Sequence, residues 1–283
     1  MSVSAESEDR ATVLENVARN GHALAKVPDI FKSDKEVVLT AVTKHGLALE
    51  WASHDLRADK DVAAAAVRRQ GQSLRFASED LRADTEVVMD AVTCDGDALQ
   101  FASEALRAEK VVVLAAVTTH GWALQHASET LRSDQEVVLA AVTTNGWALE
   151  HASEVLKANV GVVRAAVSQD GHALQFASEE LLSDEPCLRN ILDDSPSAGF
   201  QFLLILRVNT LSGRSCCCVL NPLMPHPKKT VLKQCAEKLG LPLAEVLEYG
   251  ELLQGTSPML DSESLRSLQR GEMHELQLLV TRP

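Results

Sequence analysis

Residues 134–156 read DQEVVLAAVTTNGWALEHASEVL. Asp134 stands where a helix N-cap belongs, and Glu136 follows in the first turn, where a carboxylate complements the helix dipole. Val137, Val138, Ala141 and Val142 form an apolar stripe at helical spacing. Gly146 is expected to end this helix by taking the left-handed conformation favoured just past a C-cap. A second stripe at Ala148, Leu149, Ala152 and Leu156 steps as i, i+1, i+4, i+8 and predicts a second helix. The stretch therefore reads as a short helical hairpin, with Ala141 and Ala152 small enough for two backbones to approach closely. Ser153 is placed either to bond back into the second helix or to cap a final turn carrying Leu156.

This unit recurs along the first two thirds of the chain. Glycines fall at 21, 46, 71, 96, 121, 146 and 171, a constant step of 25 residues. Val keeps the same step from Val37 to Val162, Ala from Ala41 to Ala166, and Leu from Leu49 to Leu174. An Ala-Ser pair recurs from Ala52-Ser53 to Ala177-Ser178. The carboxylates at 34, 59, 84, 109, 134 and 184 read as helix caps and not as an acid–base pair. One 25-residue hairpin cannot bury its apolar face alone, so the units must stack as an α-solenoid. Both ends look like caps. Asn16 replaces the usual Ala and Val27-Pro28 replaces Ala-Ser in the first unit, and Glu185 to Leu192 is half a hairpin.

Composition narrows the class. The chain has 283 residues, 46% of them hydrophobic, enough to fold, but only 4% aromatic, so Ala, Val and Leu must build the core. The net charge of −13 argues against sequence-independent binding to nucleic acid or anionic lipid. The longest apolar run, Val111 to Val117, is far shorter than the ~20 residues of a spanning helix. Met1 to Asn20 is polar and carries no apolar stretch of signal-peptide length, which leads us to expect a cytoplasmic chain, with the nucleus left open. The six cysteines show neither C-x-x-C nor Cys/His ligand spacing, so no disulfide framework, zinc site or other cofactor is expected.

The stretch from Asp134 to Leu156 resembles a tandem helical repeat family known only as a domain of unknown function, with the pattern D-x-E-V-V-L-x-A-V-x-x-x-G-x-A-L-x-x-A-S-x-x-L-R. The resemblance covers roughly residues 30 to 185 and implies no chemistry.

A break follows at Asp193 to Gly199. Residues 1–198 carry 18 basic and 32 acidic side chains, whereas residues 199–283 carry 9 and 8. Phe202 to Val208 and Cys216 to Leu220 predict a hairpin around Leu211-Ser212-Gly213-Arg214. Leu232, Cys235 and Leu239 predict a helix stopped by Gly240 and Pro242, and Val246 to Tyr249 and Leu276 to Val280 predict further strands. The order β-β-α-β-β describes a β-grasp. The expected architecture is thus an all-α helical-repeat solenoid over 11–193, after a disordered 1–10, then a linker over 194–199 and an α+β β-grasp domain over 200–281.

This second half is similar to ubiquitin, element by element, from the first hairpin through Gly240-Leu241-Pro242 to Ser264-Leu265-Arg266-Ser267-Leu268. Pro222 to Pro227 and the residues around Thr256 to Asp261 are insertions. The ending Val280-Thr281-Arg282-Pro283 lacks the Gly-Gly of a conjugated modifier, so the resemblance implies an integral ubiquitin-like domain. It also implies that Leu211, Leu247 and Leu279 occupy the apolar patch through which ubiquitin is read. Gln277 stands where ubiquitin has a histidine, and Glu245 and Glu251 stand at its basic rim, which weakens that patch.

Two further groups invite chemistry. Trp122/His126 and Trp147/His151 are i, i+4 pairs, and the same two columns read Leu47/Trp51, Gln72/Phe76, Asp97/Phe101 and His172/Phe176. One large ring per unit fits core packing or an aromatic groove for a partner; stacked histidines as a metal site are the least favoured reading. Cys216-Cys217-Cys218 has no base beside it, and alternation along a strand makes Cys216 and Cys218 small core hydrophobes. The expectation is a non-enzymatic adaptor without cofactor. Its solenoid binds a protein or peptide, and its ubiquitin-like domain docks on a ubiquitin receptor or proteasome component. The alternative is a structural scaffold with no ubiquitin-pathway role.

Overall fold

A computed structural model describes residues 9–184, 187, 191, 204–210, 215–220, 250–254, 257–258 and 273–280. They fall into two compact units, up to Thr144 and from Asn145 onward. In the first, the ten-residue helices Arg10–Arg19, Lys35–Lys44, Lys60–Arg69, Thr85–Cys94, Lys110–Thr119 and Gln135–Thr144 pack side by side in chain order. Their stripes are fully buried, as Val87, Val88, Ala91 and Val92 show. The predicted caps hold in most units. Asp34, Asp59, Asp84 and Asp134 each accept the backbone N–H of the second and third residues that follow. Glu109 makes no such bond, because its longer side chain does not fold back onto the helix start.

The second arm of the unit is not one α-helix. A six-residue 3₁₀ helix opens at the glycine, as in Gly46–Trp51, then Ala52 and Ser53 are extended, and a four-residue α-helix, His54–Arg57, follows. Three residues per turn place Gly46, Leu49 and Ala52 on one side of the 3₁₀ helix. The 3₁₀ helices Gly21–Lys26, Gly46–Trp51, Gly71–Phe76, Gly96–Phe101 and Gly121–His126 form a second layer. Ser53, Ser78, Ser103 and Ser128 cap the short helices, each accepting from the N–H of the leucine three residues on at 3.4 Å. Ser153 makes no such cap bond.

The role of the glycine also differs from expectation. His45, just before Gly46, ends its helix in an extended conformation (φ −138°, ψ 105°), and none of Gly21, Gly46, Gly71, Gly96 or Gly146 has a left-handed φ. The requirement is close approach. A Cβ on Gly96 would lie 2.3 Å from the carbonyl oxygen of Ala116, in the helix of the next repeat. The alanine column therefore serves the glycine of the preceding unit, and both columns must be small.

The second unit continues the pattern with Gly146–His151, Glu154–Lys157, Val160–Gln169, Gly171–Phe176 and Glu179–Ser183. Within the expected terminal half-hairpin, Cys187 and Ile191 are helical and Ile191 is buried. Strands follow at Leu204–Thr210 (β1), Ser215–Leu220 (β2), Gly250–Gln254 (β3), Ser257–Pro258 (β4) and Met273–Val280 (β5). They form a mixed sheet in the order β2-β1-β5-β3-β4. Among the described strands only β1 and β5 run parallel, with Val208 opposite Leu276; β1 and β2 are antiparallel, with Leu206 opposite Cys218. The described part of the first strand, Leu204–Thr210, falls within the expected hairpin, with Phe202 outside the described residues, and the last strand extends back to Met273. The strand beside β5 starts at Gly250 and faces Val280, whereas the predicted strand Val246 to Tyr249, the helix through Leu232 and Leu239 and the turn at Leu211 to Arg214 lie outside the described residues. No described helix is long and apolar enough to cross a membrane.

Candidate protein-interaction face

Three side-chain columns run along the repeats, and each follows from a fixed place in the 25-residue unit. The first sits at the start of the ten-residue helices. Arg10 pairs with Asp34 and Glu36, Lys35 with Asp59 and Asp61, Lys60 with Asp84 and Glu86, and Lys110 with Asp134 and Glu136, at 2.6 to 2.9 Å. Each cation thus reaches the N-cap aspartate of the next unit. The Arg10 guanidinium holds the Asp34 carboxyl below the ordinary carboxylate range, and Lys60 and Lys110 do the same for Asp84 and Asp134. These exposed pairs add little stability individually but repeat regularly.

The second column is the residue before each glycine, with the residue after it. Gly21 N–H donates to Nδ1 of His45 at 3.0 Å, so that nitrogen is unprotonated; burial, and then the nearby His22, lower the His45 pKa. Leu47 N–H donates to Oε1 of Gln70 at 3.1 Å, and Gly146 N–H donates to Oε1 of Gln169, the residue just before that column's Asp170, at 2.6 Å. The column thus ties one repeat to the next. Asp95, Asp97 and His120 each bring a potential metal-ligand atom within 4.8 Å of the others. Asp95 is already engaged, however: it accepts from Gln72 Nε2 at 2.9 Å and from Asp97 N–H at 3.0 Å. The cluster does the same capping and bridging work as its counterparts.

The third column is basic and aromatic. Lys32, Arg57, Arg82, Arg107 and Arg132 close the four-residue helices of the first unit, and Lys157 holds the place in the second. Their backbone carbonyls form a ladder: Ser53 N–H donates to Lys32, Ser78 to Arg57, Ser103 to Arg82 and Ser128 to Arg107, at 2.8 to 3.1 Å. The Nε atoms of Arg57, Arg82, Arg107 and Arg132 are buried without a hydrogen-bond partner. Arg57 and Arg82 flank an open groove of about 490 Å³ whose lining includes Phe76 and Ser78. Phe76 and Phe101 are half-buried at the last position of their 3₁₀ helices.

The expected site residues divide on this frame. Trp122 and His126 are the second and last residues of the 3₁₀ helix Gly121–His126, and both are half-buried, as are Trp147 and His151 in Gly146–His151. Trp147 is anchored: its Nε1–H donates to Asp170 at 2.8 Å, and its ring meets Phe176 edge-on at 5.4 Å. The ring columns are therefore partly packing and partly surface, as the two open readings allow. Leu279 lies in β5 opposite Glu251, while Leu211 and Leu247 lie outside the described residues. Sequence reasoning missed the arginine column, although its signal was present as the final R of the repeat pattern.

The profile of a family described as a domain of unknown function (DUF4116) matches residues 9–57, 59–107 and 112–157, together 144 of the 283 residues. Each match covers about two of the 25-residue units. No curated protein and no solved structure matches the chain. With its profile repeated across the stacked helices, the chain belongs to the DUF4116 family.

Proposed function

We propose that this chain is a non-enzymatic protein-interaction adaptor, whose repeats hold a segment of a partner and whose C-terminal domain is a ubiquitin-like β-grasp that docks on a ubiquitin receptor or a proteasome component. The observation that carries the first part is the recurrence of a half-buried ring at the end of successive 3₁₀ helices, with one such ring, Phe76, on an open groove between Arg57 and Arg82. A repeat surface of this kind suits an extended ligand that meets equivalent positions in succession. The strand order β2-β1-β5-β3-β4, with a parallel pair in the middle, supports the β-grasp reading of the second part. Leu211, Leu247 and Leu279 would then form the docking patch.

The test is a paired capture with three full-length baits: wild type, Phe76→Ala/Phe101→Ala, and Leu247→Asp. The adaptor reading expects two separable losses, one set of partners missing with the ring variant and ubiquitin-machinery proteins missing with Leu247→Asp. Ubiquitin-machinery capture unchanged by Leu247→Asp would defeat the patch mechanism. Identical partner lists from all three folded baits would leave a structural scaffold as the function.

A further inference from the structure

We infer that the face bearing Arg57, Arg82, Arg107 and Arg132 binds an extended acidic polypeptide whose carboxylates recur at about every third residue. This rests on the reading of the repeats as a protein-binding surface and names the chemistry of the partner.

The first ground is charge that the protein leaves unspent. Arg57, Arg107 and Arg132 have no carboxylate within ion-pair reach among the described residues, and Arg82 has only Glu79 at 3.6 Å. Acids are near at hand. Glu104 and Glu129 stand three residues before Arg107 and Arg132, the spacing at which Lys157 does pair with Glu154 at 2.9 Å. The capping Asp59, Asp84 and Asp134, each two residues beyond an arginine, are engaged instead by Lys35, Lys60 and Lys110. With Nε shut in and without an acceptor, each guanidinium is set in place by packing, and its two terminal nitrogens offer the fork that a carboxylate accepts.

The second ground is spacing. Adjacent ten-residue helices pack side by side, which sets a step of about 8–10 Å per repeat. An extended chain rises about 3.3 Å per residue, so about three residues span one step. A polypeptide with an acid at every third position meets successive arginines in register, and the ring of Phe76 lies between Arg57 and Arg82 for its remaining side chains. A peptide is favoured over nucleic acid because the chain's net charge of −13 repels a polyanion with a charge at every residue, whereas a sparse acidic peptide sets its carboxylates at the arginines and its uncharged residues beside Glu79 and Asp80, which also line the groove.

The experiment is fluorescence anisotropy on the full-length chain with labelled 18-residue Gly/Ser peptides. They carry six glutamates placed at every third position, at every second position, or in one block; a thymidine 18-mer serves as the nucleic acid probe. The expected result is tightest binding of the every-third peptide, weakening with salt. In Arg82→Gln/Arg107→Gln its affinity falls by about 100-fold, roughly tenfold for each guanidinium–carboxylate pair removed. Arg82→Lys/Arg107→Lys, which keeps charge but not the fork, retains part of the affinity and guards against misfolding of the Gln variant, as does an unchanged helical circular dichroism signal. Equal binding of the three peptides, undiminished binding by the Gln variant, or tighter binding of the oligonucleotide would overturn the inference. If none of the peptides binds while Phe76→Ala/Phe101→Ala still loses captured partners, the acidic ligand is refuted and the protein-binding reading stands.

Discussion

Replacing Gly96 by alanine isolates the close approach that spaces the repeats. The backbone at Gly96 has no left-handed φ, so the usual expectation is a gain of ~0.4–1 kcal/mol from a less flexible unfolded chain. The structure predicts the opposite sign. The added methyl would meet the Ala116 carbonyl oxygen at 2.3 Å and the backbone nitrogen of His120 at 3.0 Å. Ordinary carbon–oxygen contacts begin near ~3.3 Å, so the two repeats must separate by about 1 Å. The obstructing atoms are backbone within a helix, which cannot swing aside as a side chain would. Overpacking of this kind costs about 1–3 kcal/mol or more, and it outweighs the entropic gain. Gly161→Ala is the internal control. Its methyl meets only Asn159 Oδ1 at 3.2 Å, and the equivalent sites in other units carry Asp61, Glu86 and Val111. That substitution should stabilise by ~0.5–1 kcal/mol. Urea unfolding followed by circular dichroism, with amide exchange to localise the loss because repeat arrays need not unfold in two states, measures both. A Gly96→Ala protein as stable as wild type would refute the close-approach account of the glycine column.

Three further outcomes follow from single positions. Ser73 occupies a column that is alanine in the other units, and its hydroxyl is fully buried without a hydrogen-bond partner; Ser73→Ala should raise stability by about 1–2 kcal/mol in urea titrations. Glu109→Asp should install the missing cap and add about 1 kcal/mol, visible as new exchange protection at the amides of Val111 and Val112. His45 is held neutral by the Gly21 N–H and its pKa is lowered by burial, so its contribution is complete above the ordinary histidine range of ~6.5 and is lost as pH falls through the depressed value. Thermal melts across pH ~7.5 to ~4.5 should show that loss in wild type and a smaller one in His45→Gln, whose amide oxygen can accept a backbone N–H of the preceding repeat, as Gln70 does from Leu47.

Most of the repeat was legible along the chain because its signals are local. A helix cap, an apolar stripe and a constant 25-residue step need only neighbours within one or two turns, and the structure keeps Asp84, Val87, Val88, Ala91 and Val92 in those roles. Strands β1, β2 and β5 were legible because alternating and apolar runs reveal themselves in short windows; the order of the strands in the sheet and their register, such as Glu251 opposite Leu279, were not, because they join residues far apart in the chain. The form of the second arm was misread for a related reason. Gly146, Leu149 and Ala152 step by three, but one stripe of small and apolar residues satisfies an α-helical spacing nearly as well as a 3₁₀ one. What separates them is the carbonyl of the next repeat lying where a glycine Cβ would be, which no window within a single unit contains. The same holds for the candidate site. The arginine that ends four of the repeats is plain in the sequence, but its unspent charge is a property of what does not reach it. That depends on Lys35, Lys60 and Lys110 claiming the neighbouring aspartates across the repeat interface. Local order follows from local residue types, whereas which charges are neutralised and which are left to a partner is settled only when the repeats stack.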